Sequence, residues 1–180
     1  MPSFRLALIC FLLLATTLSH AEDSLDSNST YIVTYVYDGD TVKLSRIDRY
    51  GSTDASKANN SQDEFKLRLT DIDAPERNQA YGLKSRRALI DLCYGASIIA
   101  TVKISGIDKY HRALGRLQCN NVDASLHLAE RGLAWYYAQY SSDVEIDKAS
   151  KNARRLTLGL WADDNPIPPW VWRRQFKRAH

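Results

Sequence analysis

The most regular pattern in the chain is the alternation from Phe65 to Ile72 (FKLRLTDI). Phe65, Leu67 and Leu69 fall on one face and Lys66, Arg68 and Thr70 on the other, the period of a half-buried strand. Tyr31 to Tyr37 (YIVTYVY) is dense in β-branched and aromatic residues and predicts a strand. Asp38-Gly39 is a hairpin-turn signal, and Thr41 to Ile47 supplies the returning strand. Ile98 to Ile104 and Ala113 to Cys119 predict two more, joined by Ser105 to Arg112. Tyr81 to Cys93 is helix-like, with Leu83, Ala88, Leu89 and Leu92 as core positions and Gly95 beyond its end. Asp123 to Arg131 predicts a short helix stopped by Gly132. A last helix opens on the capping-box pattern Ser142-x-x-Glu145, continues through Ile146, Ala149, Ala153 and Leu156, and stops at Gly159.

Five short strands, with helices gathered after the third and fifth, exclude a regularly alternating βαβ sheet and predict an α+β fold. A five-stranded Greek-key β-barrel of the oligonucleotide-binding type (OB-fold), with about three helices, fits this order. Ser45 to Glu64 is long, polar and poor in apolar residues, and reads as an extended loop at a hairpin tip.

The N-terminus has a different character. Arg5 precedes Leu6 to Ala15 (LALICFLLLA), an apolar run of about ten residues, too short to span a bilayer and suited to a signal-peptide h-region. Ser19-His20-Ala21 places small residues where a signal peptidase reads. Residues 1–21 are therefore expected to be a signal peptide, with an uncleaved anchor as the alternative. Residues 22–30 are read as a flexible lead-in, 31–165 as one domain and 166–180 as a Pro/Trp/Arg-rich tail. Export leads to the periplasm or the cell exterior, where Cys93 and Cys119 are free either to pair or to stay as two separately buried thiols. A formal charge of +3, one unit of it from Arg5, is too mild to argue nucleic-acid binding by itself. The cations do cluster at the end, in Arg173, Arg174, Lys177 and Arg178, although such a tail is most often a solvated end.

Three segments carry candidate chemistry: Asp38-Gly39-Asp40-Thr41, Arg68 to Glu76 (RLTDIDAPE), and Asp108-Lys109-Tyr110-His111-Arg112. The first sets carboxylates at a tight turn. The second runs a strand arginine into Asp73, Pro75 and Glu76, with Pro75 fixing its own φ and biasing Ala74 toward extended geometry. The third offers two cations and a phenol. Phosphodiester hydrolysis needs a charge clamp on phosphate oxygens, a positioned water and a base. Hard cations take carboxylate and carbonyl oxygens, arginine forks match phosphate, and an ionised glutamate accepts a proton. Each segment alone has an ordinary reading, as a turn, a helix start or a solvated strand face.

In order and together, these segments resemble the staphylococcal nuclease (thermonuclease) family, as do Tyr81-Gly82, Arg131-Gly132-Leu133-Ala134, Gly159-Leu160-Trp161 and Pro168-Pro169-Trp170; the last two resemble its Gram-negative secreted members. The resemblance implies a calcium-dependent endonuclease acting on DNA and RNA and leaving 3′-phosphorylated products. It implies Ca2+ ligation by the carboxylates of Asp40 and Asp73 and the carbonyl of Ala74, and Glu76 as general base. It also implies Arg68 and Arg112 on the scissile phosphate, and Lys109 and Tyr110 on a terminal phosphate. A monomer without stable membrane association is expected. His111 departs from the glycine usual before Arg112. The alternatives are a catalytically inactive OB-fold module that binds nucleic acid, and a secreted interaction protein using the Trp170/Trp172 tail. His20, His127 and His180 fall outside the matching motifs.

Overall fold

A computed structural model describes residues 29–47 and 64–178. The expected signal peptide, most of the lead-in and positions 48–63 of the expected hairpin-tip loop lie outside the described residues.

Strand β1 (Thr30–Val36) pairs antiparallel with β2 (Thr41–Ile47), forming the hairpin that Asp38-Gly39 announces. The connection is four residues long and is closed by a hydrogen bond from Tyr37 N to Thr41 O at 2.9 Å. Strand β3 (Glu64–Leu69) continues the meander antiparallel to β2. Its alternation buries Leu67 and Leu69 completely, or nearly so, and leaves Lys66 and Arg68 on the other face. The stretch to Ile72 is not one strand, however. Asp71 takes a positive φ of 72°, and the chain resumes as β4 (Ile72–Asp73) in another direction.

After helix α1 (Gly82–Cys93) come β5 (Ala100–Ile107), which starts two residues later and ends three residues later than its pattern predicts, and β6 (Ala113–Cys119). The sheet order is β3-β2-β1-β5-β6, and a parallel β3–β6 pairing closes it into a five-stranded barrel. Closure removes the free edges that an open sheet would expose. The short β7 (Val122–Asp123) leads into α2 (Ala124–Glu130), and β8 (Trp135–Tyr136) pairs with β4, setting Asp73 opposite Trp135.

Helix α3 (Val144–Arg155) is capped one residue later than expected. Asp143, not Ser142, accepts from Glu145 N and Ile146 N at 3.0 Å each, because its carboxylate reaches both orphan amides. A 3-10 turn (Gly159–Ala162) then brings in Trp161, and α4 (Pro169–Arg178) occupies the tail as a fourth helix. The fold is α+β on an oligonucleotide-binding barrel. Its core runs from Val33, Val42 and Leu44 through Leu67, Leu89 and Leu117 to Leu128 and Ile146. Cys93 and Cys119 are joined by a disulfide with Cα atoms 5.3 Å apart, tying the end of α1 to the end of β6. Among the described residues no helix is long and apolar enough to cross a membrane.

Candidate active site

The site lies at one end of the barrel, where the β1–β2 turn, the end of β3 and the chain after β4 converge. Asp40 is held there by its backbone, its carbonyl accepting from Leu69 N at 2.8 Å. Gly39 permits this approach: a Cβ at Gly39 would lie 1.9 Å from Ser85 Oγ on α1 and 2.7 Å from the Ala74 Cβ. Asp40 Oδ2 accepts from Ala74 N at 2.6 Å, and its Oδ1 accepts from the Thr41 hydroxyl at 3.0 Å. Asp38 Oδ1 takes the amide of Asp40 at 3.0 Å, which fixes the turn.

Arg68 bridges the two carboxylates. Its Nη1 lies 2.7 Å from Asp40 Oδ2, and its Nη2 lies 2.8 Å from Asp73 Oδ1. Nη1 also donates to the carbonyls of Leu69 and Ile72, so the guanidinium is fixed by the backbone break that follows β3. Burial pushes Asp40 up to about 6 even though Arg68 pulls it down, with Asp38 adding repulsion. Asp73, fully buried, is likewise pushed up by burial against the pull of Arg173 and Arg68. Burial lowers the Arg68 pKa, but Asp40 and Asp73 outweigh it and the net direction is upward.

Glu76 stands on the turn leading to α1. Its amide donates to Gln79 Oε1 at 3.2 Å and its carbonyl accepts from Gln79 N at 2.9 Å. Gly82 makes the turn fit, because a Cβ there would sit 1.8 Å from the Glu76 carbonyl oxygen.

Arg112 is not in direct contact with this group. It stands at the foot of β6, next to β3 through the pairing of Leu67 with Ala113, and its guanidinium is paired with Asp108 at 2.7 Å. Asp108 organises the whole turn, accepting also from Tyr110 N at 2.8 Å and Arg112 N at 3.0 Å. Burial nudges the Asp108 carboxyl up, but these bonds outweigh it and hold it below the usual range. His111, where the resemblance expects glycine, adopts φ 60°. Lys109 and Tyr110 lie together on this exposed turn, the ammonium 5.1 Å from the ring centroid.

One residue of the site escapes the sequence reading. Arg173 on α4 places Nη2 2.7 Å from Asp73 Oδ2 and Nη1 2.8 Å from Glu76 Oε1. The clue was available: Trp170 and Arg173 are three apart after Pro168-Pro169, so they share a helical face.

Residues 66–163, more than half of the chain, match the family described as staphylococcal nuclease homologue. The chain belongs to the staphylococcal nuclease family. Its relatives include an uncharacterized endonuclease of Haemophilus influenzae, 38% identical over 173 residues, which is 96% of this chain and 87% of that protein. A micrococcal nuclease of Shigella flexneri is 38% identical over 128 residues, covering 64% of this chain and 71% of its own. A staphylococcal-like nuclease of Arabidopsis thaliana is 34% identical over 111 residues, covering 62% of this chain and 34% of the plant protein. The chain thus spans about a third of that plant relative.

The donor set fits a hard divalent cation. Two carboxylates lie side by side at one guanidinium with all-oxygen chemistry, and burial raises the cost of charge on both, which added positive charge would relieve. Among the described residues no three His, Cys, Asp or Glu side chains form a metal cage. The ligand set implied by the resemblance includes only two side chains, with a backbone carbonyl as the third donor.

Proposed function

We propose that this protein is a calcium-dependent endonuclease that hydrolyses phosphodiester bonds of DNA and RNA with little sequence specificity and leaves 3′-phosphates. It acts as a monomer after export to the periplasm or the cell exterior. The observation that supports it most is the buried pair Asp40 and Asp73 held on one arginine, two residues of chain from the turn that carries Glu76. Asp40, Asp73 and the Ala74 carbonyl would hold calcium, which supplies charge neutralisation at the phosphate when bound.

In this reading Arg68 and Arg112 grip the non-bridging oxygens and stabilise the charge that grows as phosphorus becomes five-coordinate. Glu76 takes a proton from the attacking water, whose oxygen forms the new bond to phosphorus. The bond to the 5′-oxygen breaks, that oxygen takes a proton from solvent water as it leaves, and the phosphate stays on the 3′ side. Lys109 and Tyr110 bind a terminal phosphate. None of these groups addresses the 2′-hydroxyl, which accounts for indifference to the sugar. A binding module without catalysis would have no use for the intact set of Asp40, Arg68, Asp73, Glu76 and Arg112.

Glu76→Gln keeps the size of the side chain and removes the base. Turnover should fall by about two to four decades while circular dichroism and oligonucleotide binding are retained. Wild-type fragments should need phosphatase treatment before a polymerase extends them. Near-wild-type turnover in the folded variant would sink the assignment.

A further inference from the structure

Helix α4 is docked beside the candidate site by two sets of contacts, one aromatic and one from the Glu76 turn itself. In the first, the ring of Trp170 stacks on Tyr137, with centroids 5.3 Å apart and planes 7° from parallel, and meets Trp135 edge-on at 5.5 Å. In the second, Gln79 Nε2 donates to the Ile167 carbonyl at 2.5 Å, just ahead of the helix. These anchors deliver Arg173, one turn beyond Trp170, between Asp73 and Glu76.

The delivered guanidinium takes lone pairs that a cation would need. Arg173 Nη2 lies 2.7 Å from Asp73 Oδ2, and its Nη1 donates to Asp73 Oδ1 at 3.1 Å and to Glu76 Oε1 at 2.8 Å. Asp73 Oδ1 also accepts from Arg68 Nη2 at 2.8 Å, so both oxygens of this buried carboxylate are committed to arginines. An arginine fork and a divalent cation compete for the same carboxylate oxygens, because each needs their lone pairs in its own geometry. The two arginines are not equally fixed. The Arg68 side chain is 14% exposed and that of Arg173 is 39% exposed. Arg173 is the one able to leave. Trp170 in turn covers a face of Tyr137 in the parallel arrangement that a nucleobase adopts on an aromatic ring.

We propose that α4 is a latch: in the resting protein Arg173 holds Asp73 and Glu76 in place of the divalent cation, and cation binding displaces it. The inference rests on reading Asp40 and Asp73 as the cation site. It makes the apparent cation affinity a property of the tail as well as of the ligands, since a latch closed nine-tenths of the time weakens apparent affinity about tenfold. Release of the same helix uncovers the Tyr137 ring.

Calorimetric titration of calcium into the cation-free protein, with no nucleic acid present, tests this. Arg173→Gln and Trp170→Ala should each bind calcium about tenfold more tightly than wild type. Trp170→Ala is decisive because it keeps every charge, so loss of electrostatic repulsion cannot explain its gain. In the unaltered protein, saturating calcium should also speed hydrogen–deuterium exchange at the amides of α4, a readout that requires no variant to fold. Unchanged or weaker binding by Trp170→Ala, or exchange in α4 that calcium leaves unaltered, would overturn the latch while leaving the nuclease reading intact. Calcium heat absent from wild type and both variants would overturn the cation site itself, and the latch with it.

Discussion

Arg68 and Arg112 are assigned the same task on the phosphate, yet the structure gives them different costs of removal. Arg68→Met keeps the aliphatic stem and deletes the guanidinium that neutralises Asp40 and Asp73, whose side chains are 6% and 0% exposed. Breaking a buried pair by removing one partner costs about 3–5 kcal/mol, because the remaining charge is left unpaired. Arg173 still engages Asp73, so the loss should fall near 3 kcal/mol. For a domain of this size that lowers the melting temperature by about 6–12 °C. Arg112→Met removes a guanidinium whose side chain is 27% exposed and whose partner, Asp108, keeps its backbone donors. Its cost should be at most about 1 kcal/mol. Melting followed by circular dichroism in chelator, with turnover measured separately in calcium, separates the two: both variants lose cleavage, and only Arg68→Met loses stability. Equal melting temperatures for the two variants would refute the claim that Arg68 neutralises a buried carboxylate pair.

Two further outcomes follow from the same geometry. Replacing Cys93 and Cys119 together by serine opens a cross-link spanning 26 residues and should cost roughly 3 kcal/mol in the chain-entropy model; two thiols titrating in the denatured, unreduced wild type would contradict the disulfide. In chelator, Asp40 with its pKa raised to about 6 takes up a proton that the unfolded chain does not bind until near 3.8. Its ionisation therefore costs stability above pH 6, and that cost is removed as pH falls toward 4. Wild type should gain up to about 3 kcal/mol relative to Asp40→Asn between pH 7 and pH 4, and a pH-independent difference would show that Asp40 is not desolvated.

The barrel was legible wherever one face of a strand is buried. Leu67 and Leu69 against Lys66 and Arg68 disclose β3 because burial enforces the two-residue period. The break after Leu69 was not legible, since Asp71 reaches its positive φ through partners far along the chain. Ser141 Oγ donates to its Oδ1 at 2.6 Å, and Tyr137 N donates to its carbonyl at 2.9 Å. The start of α3 was shifted for a similar reason. Asp143 both caps the helix and pairs with Arg116 at 2.6 Å, a long-range contact that local capping patterns do not contain. At the site, Asp40, Arg68, Asp73, Ala74 and Glu76 were named together through the family resemblance of the segments that carry them, and the structure sets Asp40 and Asp73 on Arg68. Arg173 was not among them. A basic terminus reads as solvated until the stacking of Trp170 on Tyr137 shows which way its helix faces.

In the proposed function these carboxylates and arginines cut nucleic acid internally with calcium. Incubation of the protein with covalently closed circular DNA across a calcium titration, with a chelated control, tests it most directly. Nicked and then linear and shorter products are expected with calcium, none in chelator, and recovery when calcium is restored. Intact circles at every calcium concentration, or cleavage indifferent to the chelator, would contradict that function.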